Sequence, residues 1–140
     1  MITRVVLAAF AMMVVELPVP AVAECPSETL QQEDIIKAIQ KAPSCKASFD
    51  VMNECRYNAG GDVALAEVVI ERCEATFLSR INAQQKRSYK REREACARKY
   101  ANKSGTMYVS FQVTCEAAAA VKSAQRWGNA GASPKSRKGE

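Results

Sequence analysis

The chain has 140 residues, of which 48% are hydrophobic and 25% are charged, with a formal net charge of +5. It contains no histidine, so the Ser-His-Asp and Cys-His arrangements of the common hydrolases cannot form. Its six cysteines show no Cys-x-x-Cys spacing, which argues against structural zinc and favours three disulfides in a small exported protein. We therefore expect no metal ion, no cofactor and no enzymatic activity.

Residues 1–23 have the pattern of a bacterial secretory signal peptide. Arg4 supplies a positive start, residues 5–15 form an apolar run, and Ala-Val-Ala at residues 21–23 forms a small-residue cleavage site. The apolar run is shorter than the roughly 20 residues that span a bilayer, although an uncleaved anchor is the alternative. The sequence thus predicts a soluble mature chain from Glu24 that is periplasmic or secreted.

Two short helices are predicted at residues 31–42 and 47–58. The first has one apolar stripe at helical spacing, and its acidic residues come early and its basic residues late, as the helix dipole favours. That stripe consists of Ile35, Ile36 and Ile39. One side of the second helix is predicted to consist of Phe49, Met52 and either Cys55 or Arg56.

A third helix is predicted to start at Asp62, which is a good N-cap residue. Apolar residues then recur at helical spacing over five turns, up to Ile81. Helical composition continues without glycine or proline through Ala101, which would make a rod of roughly 60 Å. Because a domain of this size has a radius of gyration of about 13 Å, we expect a bend or break near Asn82, or else an elongated hairpin.

Residues 84–101 carry a thin apolar seam amid eight basic residues that run from Lys86 to Lys103, and Ser104-Gly105 then predicts a turn into a last helix. The seam consists of Tyr89, Cys96 and Tyr100, and the buried face predicted for the last helix consists of Tyr108, Phe111, Cys115, Ala118 and Ala119. The turn would bring Cys96 close to Cys115, so one disulfide could clasp this hairpin. Residues 109–114 also alternate as a strand does, but the alanine run after them favours helix.

These elements predict an all-α protein, either a small disulfide-stapled helical bundle or a long helical hairpin with short N-terminal helices. A single domain is expected at residues 24–127. Residues 128–140 are rich in Gly, Ser, Pro, Lys and Arg and predict a disordered basic tail. Trp127, where the domain ends, is expected to pack as a lid over the helix ends.

Residues 45–55, Cys-Lys-Ala-Ser-Phe-Asp-Val-Met-Asn-Glu-Cys, resemble the opening signature of the lysozyme inhibitor LprI-like family. Cys96, then Gly-Thr-Met-Tyr at residues 105–108, then Cys115 before an alanine-rich helix, are similar to the closing part of that family's pattern. The resemblance covers residue 45 to about residue 127. It implies an LprI-like helical domain with disulfides Cys45–Cys55 and Cys96–Cys115, which leaves Cys25 and Cys73 as a third pair.

The resemblance further implies an exported protein-binding module that inhibits a partner such as a lysozyme. Residues 24–74 contain 10 acidic and 5 basic residues, whereas residues 75–140 contain 4 acidic and 14 basic ones. Lysozymes are generally cationic, so the contact is expected on an acidic face. The candidate residues of that face are Glu28, Glu33, Asp34, Glu67, Glu71 and Glu74.

The alternative function is an envelope structural or adaptor protein that binds anionic surfaces through its basic helix. Its candidate residues are Lys90, Arg91, Lys99 and Lys103. No nucleic acid is expected as a partner, because an exported protein rarely meets it, and a merely solvated basic face is the simplest alternative. Glu92 and Glu94 are interpreted as members of surface ion pairs and not as a glycosidase carboxylate pair. The sequence leaves the oligomeric state open.

Overall fold

The computed structural model describes residues 24–128, and the regular structure in this part of the chain is entirely helical. The five α-helices are α1 (Gln32–Lys41), α2 (Cys45–Cys55), α3 (Asp62–Glu74), α4 (Ala83–Tyr100) and α5 (Thr106–Ser123), followed by a π-helical turn at Ala124–Gly128. The all-α prediction is confirmed, including helix instead of strand at residues 109–114. The predicted signal peptide, and the predicted tail beyond Gly128, lie outside the described residues. None of the helices in residues 24–128 is long and apolar enough to cross a membrane.

Helices α1, α2 and α3 pack against one another and build the N-terminal half of the core. Ile35 and Ile39 of α1 are fully buried, as the predicted apolar stripe requires. The end of α1 is tied to α3, because Arg72 donates hydrogen bonds to the carbonyl oxygens of Gln40 (2.7 Å) and Ala42 (2.6 Å). These carbonyls stand at a helix end, where they have no partner within the helix.

The chain breaks between α3 and α4, so the rod considered for residues 62–101 does not form. Residues 75–82 make successive turns that bury Phe77 and Ile81 in the core. Asn82 then caps the first turn of α4. The prediction of a break near Asn82 is confirmed. The predicted third helix, with its apolar residues at helical spacing up to Ile81, therefore ends earlier than expected, at Glu74.

The start of α3 differs from the prediction by one position. Gly61 is the N-cap, and Asp62 is the first residue of the helix, with its side chain fully buried. One carboxylate oxygen accepts a hydrogen bond from the Tyr57 backbone N–H (2.8 Å), and the other accepts one from the Ser110 hydroxyl (2.5 Å). Asp62 therefore joins the loop before α3 to α5 instead of capping its own helix.

The buried face predicted for α5 is wrong. Tyr108, Phe111, Cys115 and Ala119 are only half-buried, and Ala118 is exposed. The residues that α5 does bury are Ser110, Ala117, Ala120, Val121 and Ser123. These side chains are small, and the distance between packed helices depends on the side chains at their contact, so α5 can approach α3 closely. The aromatic residues are left on its flank.

Three disulfides form, as predicted, and the described residues include no free cysteine. Cys96–Cys115 is confirmed. The pairs Cys45–Cys55 and Cys25–Cys73 are wrong, because the structure joins Cys25 to Cys55 and Cys45 to Cys73. Cys45 and Cys55 are the first and last residues of α2, so they stand about 15 Å apart along the helix. A disulfide requires Cα atoms within about 7 Å of each other.

Phe77 belongs to a core to which all five α-helices contribute buried residues. Its ring is fully buried and meets the Tyr89 ring edge to face, with 5.2 Å between the centroids. The Trp127 ring, which belongs to the π-helical turn, lies 5.9 Å from the Phe77 ring and packs on the core. Trp127 thus packs on the core beside Phe77 as a half-buried residue.

Candidate functional site

Helix α4 is rich in basic residues and offers most of its surface to water. It starts at a capping box, in which the side chains of Asn82 and Gln85 each accept a hydrogen bond from the other residue's backbone N–H at 2.9 Å. Only Tyr89 and Cys96 of this helix are buried, and they stand about two turns apart on one line. Because this line of buried residues is so narrow, the exposed residues of α4 are free for contacts.

Five exposed basic residues form what we call the outer face of α4: Lys86, Arg87, Lys90, Arg91 and Arg98. At about 100° per residue, they fall within a sector of about 140° around the helix. Glu94 lies among them, with its carboxylate 3.7 Å from Lys90 Nζ and 3.8 Å from Arg98 Nη1. Exposed ion pairs of this kind contribute little energy, so the charges of the outer face stay available to a partner.

The structure divides the four predicted anion-binding residues into two groups. Lys90 and Arg91 belong to the outer face of α4. Lys99 lies on the opposite side of the helix from Lys90, because nine residues advance the helix by about two and a half turns. Lys99 and Lys103 place their Nζ atoms 5.3 and 6.0 Å from the centroids of two tyrosine rings. The basic run therefore provides two surfaces with different chemistry.

Arg93 belongs to neither surface, although the sequence gives it the same appearance as its basic neighbours. It is half-buried and bridges two carboxylates from other helices, Glu74 at 3.2 Å and Glu116 at 3.1 Å. The Tyr89 hydroxyl also donates to Glu74 (2.7 Å), and Gln112 donates to Glu116 (3.0 Å). The signal that could have identified Arg93 is its position four residues after Tyr89, on the side of the seam.

A cleft of about 350 Å³ opens beside this network. It is lined by Tyr89, Lys90, Arg93, Glu94, Ala97 and Glu116. Both carboxylates of the network are held by the Arg93 guanidinium, so neither is free to act as a general base. The network joins α3, α4 and α5, and we assign it a structural role.

The Tyr89→Phe variant is expected to be less stable at neutral pH by about 1 to 3 kcal/mol, because the hydrogen bond to a charged acceptor is lost. Burial first, and then the hydrogen bond to Glu74, raise the pKa of the Tyr89 phenol above its ordinary value of 10.0. Above pH 10.0 the unfolded chain therefore releases a proton that the folded chain keeps, and the stability contributed by Tyr89 declines. Denaturant unfolding at several pH values should show the two proteins converging above pH 10.0. A constant difference would contradict this assignment.

The six predicted acidic residues do not make one free surface. Asp34 accepts hydrogen bonds from Thr29 (2.6 Å) and Lys37 (2.9 Å), which hold the pKa of its carboxyl below the ordinary value. Glu74 is held by Tyr89 and Arg93. The remaining four are exposed: Glu28, Glu33, Glu67 and Glu71.

The clefts of the molecule separate these acidic residues further. Glu28 and Asp34 line a small cleft of about 80 Å³ together with two lysines. Glu71 and Glu74 line a different cleft of about 470 Å³ together with Lys86. A cationic partner would thus meet two small acidic patches with lysines beside them, instead of one continuous acidic face.

The carboxylates that invited comparison with a glycosidase pair are engaged in ion pairs, as interpreted from the sequence. Glu92 lies 3.3 Å from Arg126 Nη1, and Glu94 lies close to Lys90 and Arg98. Among residues 24–128, no three Cys, Asp or Glu side chains are grouped so that they could hold a metal ion.

Comparisons with protein-family models, with curated proteins and with solved structures found no match to this chain. The likeness to the LprI-like family therefore rests on the residues quoted above. The Cys45–Cys55 bridge that it implies does not form, whereas the Cys96–Cys115 bridge does. The function must accordingly follow from the chemistry of the exposed surfaces.

Proposed function

We propose that this chain is an exported, disulfide-stapled binding module that attaches to anionic surfaces of the bacterial envelope through the outer face of α4. One observation carries the proposal: five exposed cations occupy one side of a helix, with Glu94 as the acidic residue among them. These charges take no part in attaching α4 to the domain, since its buried residues are Tyr89 and Cys96 and its ion pairs to α3 and α5 are made by Arg93.

Export is part of the same proposal. Three disulfides are typical of proteins that fold in an oxidising environment outside the cytoplasm. The signal-like residues 1–23 support delivery to the periplasm or the medium. In that location the abundant polyanions are lipid headgroups and envelope polysaccharides, and basic residues near such a surface contribute about 1 kcal/mol each.

The experiment is a binding measurement with the purified, oxidised protein. We expect it to sediment with vesicles that contain anionic lipid and to be retained by an immobilised anionic polysaccharide, but not to bind neutral vesicles. Raising the salt from about 0.01 M to about 0.15 M shortens the screening length from about 30 Å to about 8 Å, so the affinity should fall by roughly tenfold or more. If the protein binds neither the anionic vesicles nor the anionic polysaccharide at low salt, the proposal is refuted.

A second candidate is the inhibitor function that the family resemblance implies. It is favoured by Glu67 and Glu71, which are exposed one turn apart on α3 and have no basic partner within 4.0 Å among the described residues. We expect the protein at stoichiometric excess to slow lysozyme-driven lysis of cell walls, and a Glu67→Gln, Glu71→Gln variant to be weaker. The engagement of Asp34 and Glu74 within the molecule makes this the weaker proposal. Unchanged lysis in the presence of excess protein would dismiss it.

A further inference from the structure

The turn between α4 and α5 carries an aromatic cluster that is separate from the hydrophobic core. We call residues 99–111 the hairpin tip. The ring centroids of Tyr100, Tyr108 and Phe111 lie 6.1 to 6.5 Å from one another. All three rings are half-buried, and they pack on each other instead of joining the core around Phe77. The fold therefore leaves apolar surface here that its own core does not use.

Two further apolar side chains stand exposed in the first turn of α5. Met107 is 46% exposed and Val109 is 41% exposed, and the described part of the chain leaves only four large apolar residues exposed in all. An open cleft of about 340 Å³ lies beside the aromatic cluster and is lined by Arg56, Tyr100, Phe111, Thr114, Cys115 and Ala118. Single apolar residues are ordinary on a surface, but a group of them marks an interaction site.

The charged residues in the sequence of the hairpin tip and its flanks are all basic. Residues 95–115 contain three basic residues and no acidic residue. The Nζ atoms of Lys99 and Lys103 lie 5.3 and 6.0 Å from the centroids of the Tyr100 and Tyr108 rings. Lysine stems can cover apolar surface while their ammonium groups meet water or phosphate. A partner at this site must therefore offer an apolar region to the exposed apolar side chains and anionic groups to the two lysines.

We propose that the hairpin tip inserts into the headgroup region of an anionic lipid bilayer. Met107 and Val109 then enter the acyl boundary, while Lys99 and Lys103 meet the lipid phosphates. Tyrosine is favoured at this depth, because its ring is apolar and its hydroxyl is polar. Residues 101–107 are all exposed, so the tip projects from the domain. A fluid bilayer adapts to such a projection, whereas a protein partner would need a matching cavity.

This inference rests on the proposed function and makes it more specific. The outer face of α4 supplies attraction to any polyanion, and the hairpin tip adds an apolar contact that a lipid bilayer provides and a soluble polysaccharide does not. The two contributions are separable, because the tip's apolar residues have no part in binding a soluble polysaccharide.

The test is the double variant Met107→Gln, Val109→Gln, which changes two exposed positions and leaves every charge in place. Compared with the unmodified protein, the affinity of this variant for vesicles made of a mixture of anionic and neutral phospholipid should fall by about tenfold. Its affinity for a soluble sulfated polysaccharide should not change. The matched control is Leu30→Gln, which removes an exposed apolar side chain outside the tip and should leave vesicle binding unchanged. Circular dichroism verifies that each variant is folded.

A second measurement reports insertion directly. Met107→Trp places a fluorophore at the tip, and its emission should shift to shorter wavelength when anionic vesicles are added. Gln84→Trp places the same fluorophore at the exposed start of α4, at the far end from the tip, where no shift is expected. Trp127 is common to both variants and to the unmodified protein, so its contribution is subtracted.

Three outcomes would overturn the inference. Equal vesicle binding by the Met107→Gln, Val109→Gln variant and the unmodified protein would leave the proposed function standing on α4 alone. Poly-glutamate serves as a third probe, an acidic polypeptide, and equal losses on vesicles and on poly-glutamate would identify the tip as a docking surface for acidic proteins instead of lipid. Failure of the unmodified protein to bind vesicles, polysaccharide and poly-glutamate would remove the proposed function as well.

Discussion

Replacing Cys45 and Cys73 together by alanine is expected to lower the free energy of unfolding by about 3 to 4 kcal/mol. The bridge joins the first residue of α2 to the last turn of α3, across a sequence separation of 28 residues. Without it the unfolded chain gains the entropy of an open loop of that length. A small domain has a total stability of about 5 to 15 kcal/mol, so the loss is a large part of it. Denaturant unfolding followed by circular dichroism measures the change.

The pairing itself has an independent check. Lys46 lies between Cys45 and Cys55, so trypsin places these two cysteines in different peptides. We expect the peptide of residues 42–46 to be linked to residues 73–80, and the peptide of residues 47–56 to be linked to the N-terminal peptide with Cys25. A link between residues 42–46 and residues 47–56 would restore the Cys45–Cys55 pair and contradict both the structure and the predicted stability change.

The disulfides mark where sequence reasoning succeeds and where it ends. Cys96–Cys115 is predictable because a local turn at Gly105, with a backbone φ of 108°, returns the chain directly. The other two bridges depend on how α2 lies between the N-terminal segment and α3. That arrangement is set by packing between distant residues, and spacing along the chain does not encode it. Cys45 and Cys55 are close in sequence, but they lie far apart in space because the helix between them extends by about 1.5 Å per residue.

The buried face is predictable from the sequence for some of the helices and not for others. Ile35 and Ile39 of α1, and Val69 and Cys73 of α3, are fully buried, because a single apolar stripe at helical spacing has only one way to face a core. Helix α5 has two apolar sides, one of small residues and one of aromatic residues, and periodicity alone does not say which side meets the core. The structure buries the small side, which lets Ser110 reach Asp62.

The candidate site was predictable as a basic helix but not as individual residues. Arg93 and Arg91 look alike in the sequence, yet one is held between two carboxylates and the other is exposed. The carboxylates that hold Arg93 come from α3 and α5, so the distinction depends on tertiary structure. The predicted acidic face is divided for the same reason. The carboxylate of Glu74 is one of the two that hold Arg93, so it is not part of a free acidic surface.

Neutralising part of the outer face of α4 is expected to weaken binding to anionic vesicles by roughly 100-fold. The variant is Arg87→Gln, Lys90→Gln, Arg91→Gln, which changes three adjacent exposed positions and keeps a good helix former at each. Each basic residue near an anionic surface contributes about 1 kcal/mol, so three of them contribute about 3 kcal/mol. Co-sedimentation with vesicles in physiological salt, over a range of lipid concentrations, measures the change in affinity.

The matched control removes the same charge from the N-terminal helices, with Lys37→Gln, Lys41→Gln and Lys46→Gln. All three lysines are exposed, and two of them lose only surface ion pairs, with Asp34 and Asp50. Screening over about 8 to 10 Å in physiological salt confines each charge to its own neighbourhood, so this variant should bind almost as well as the unmodified protein. Equal losses in the two triple variants would mean that binding follows the net charge of the protein, and the outer face of α4 would then have no particular role.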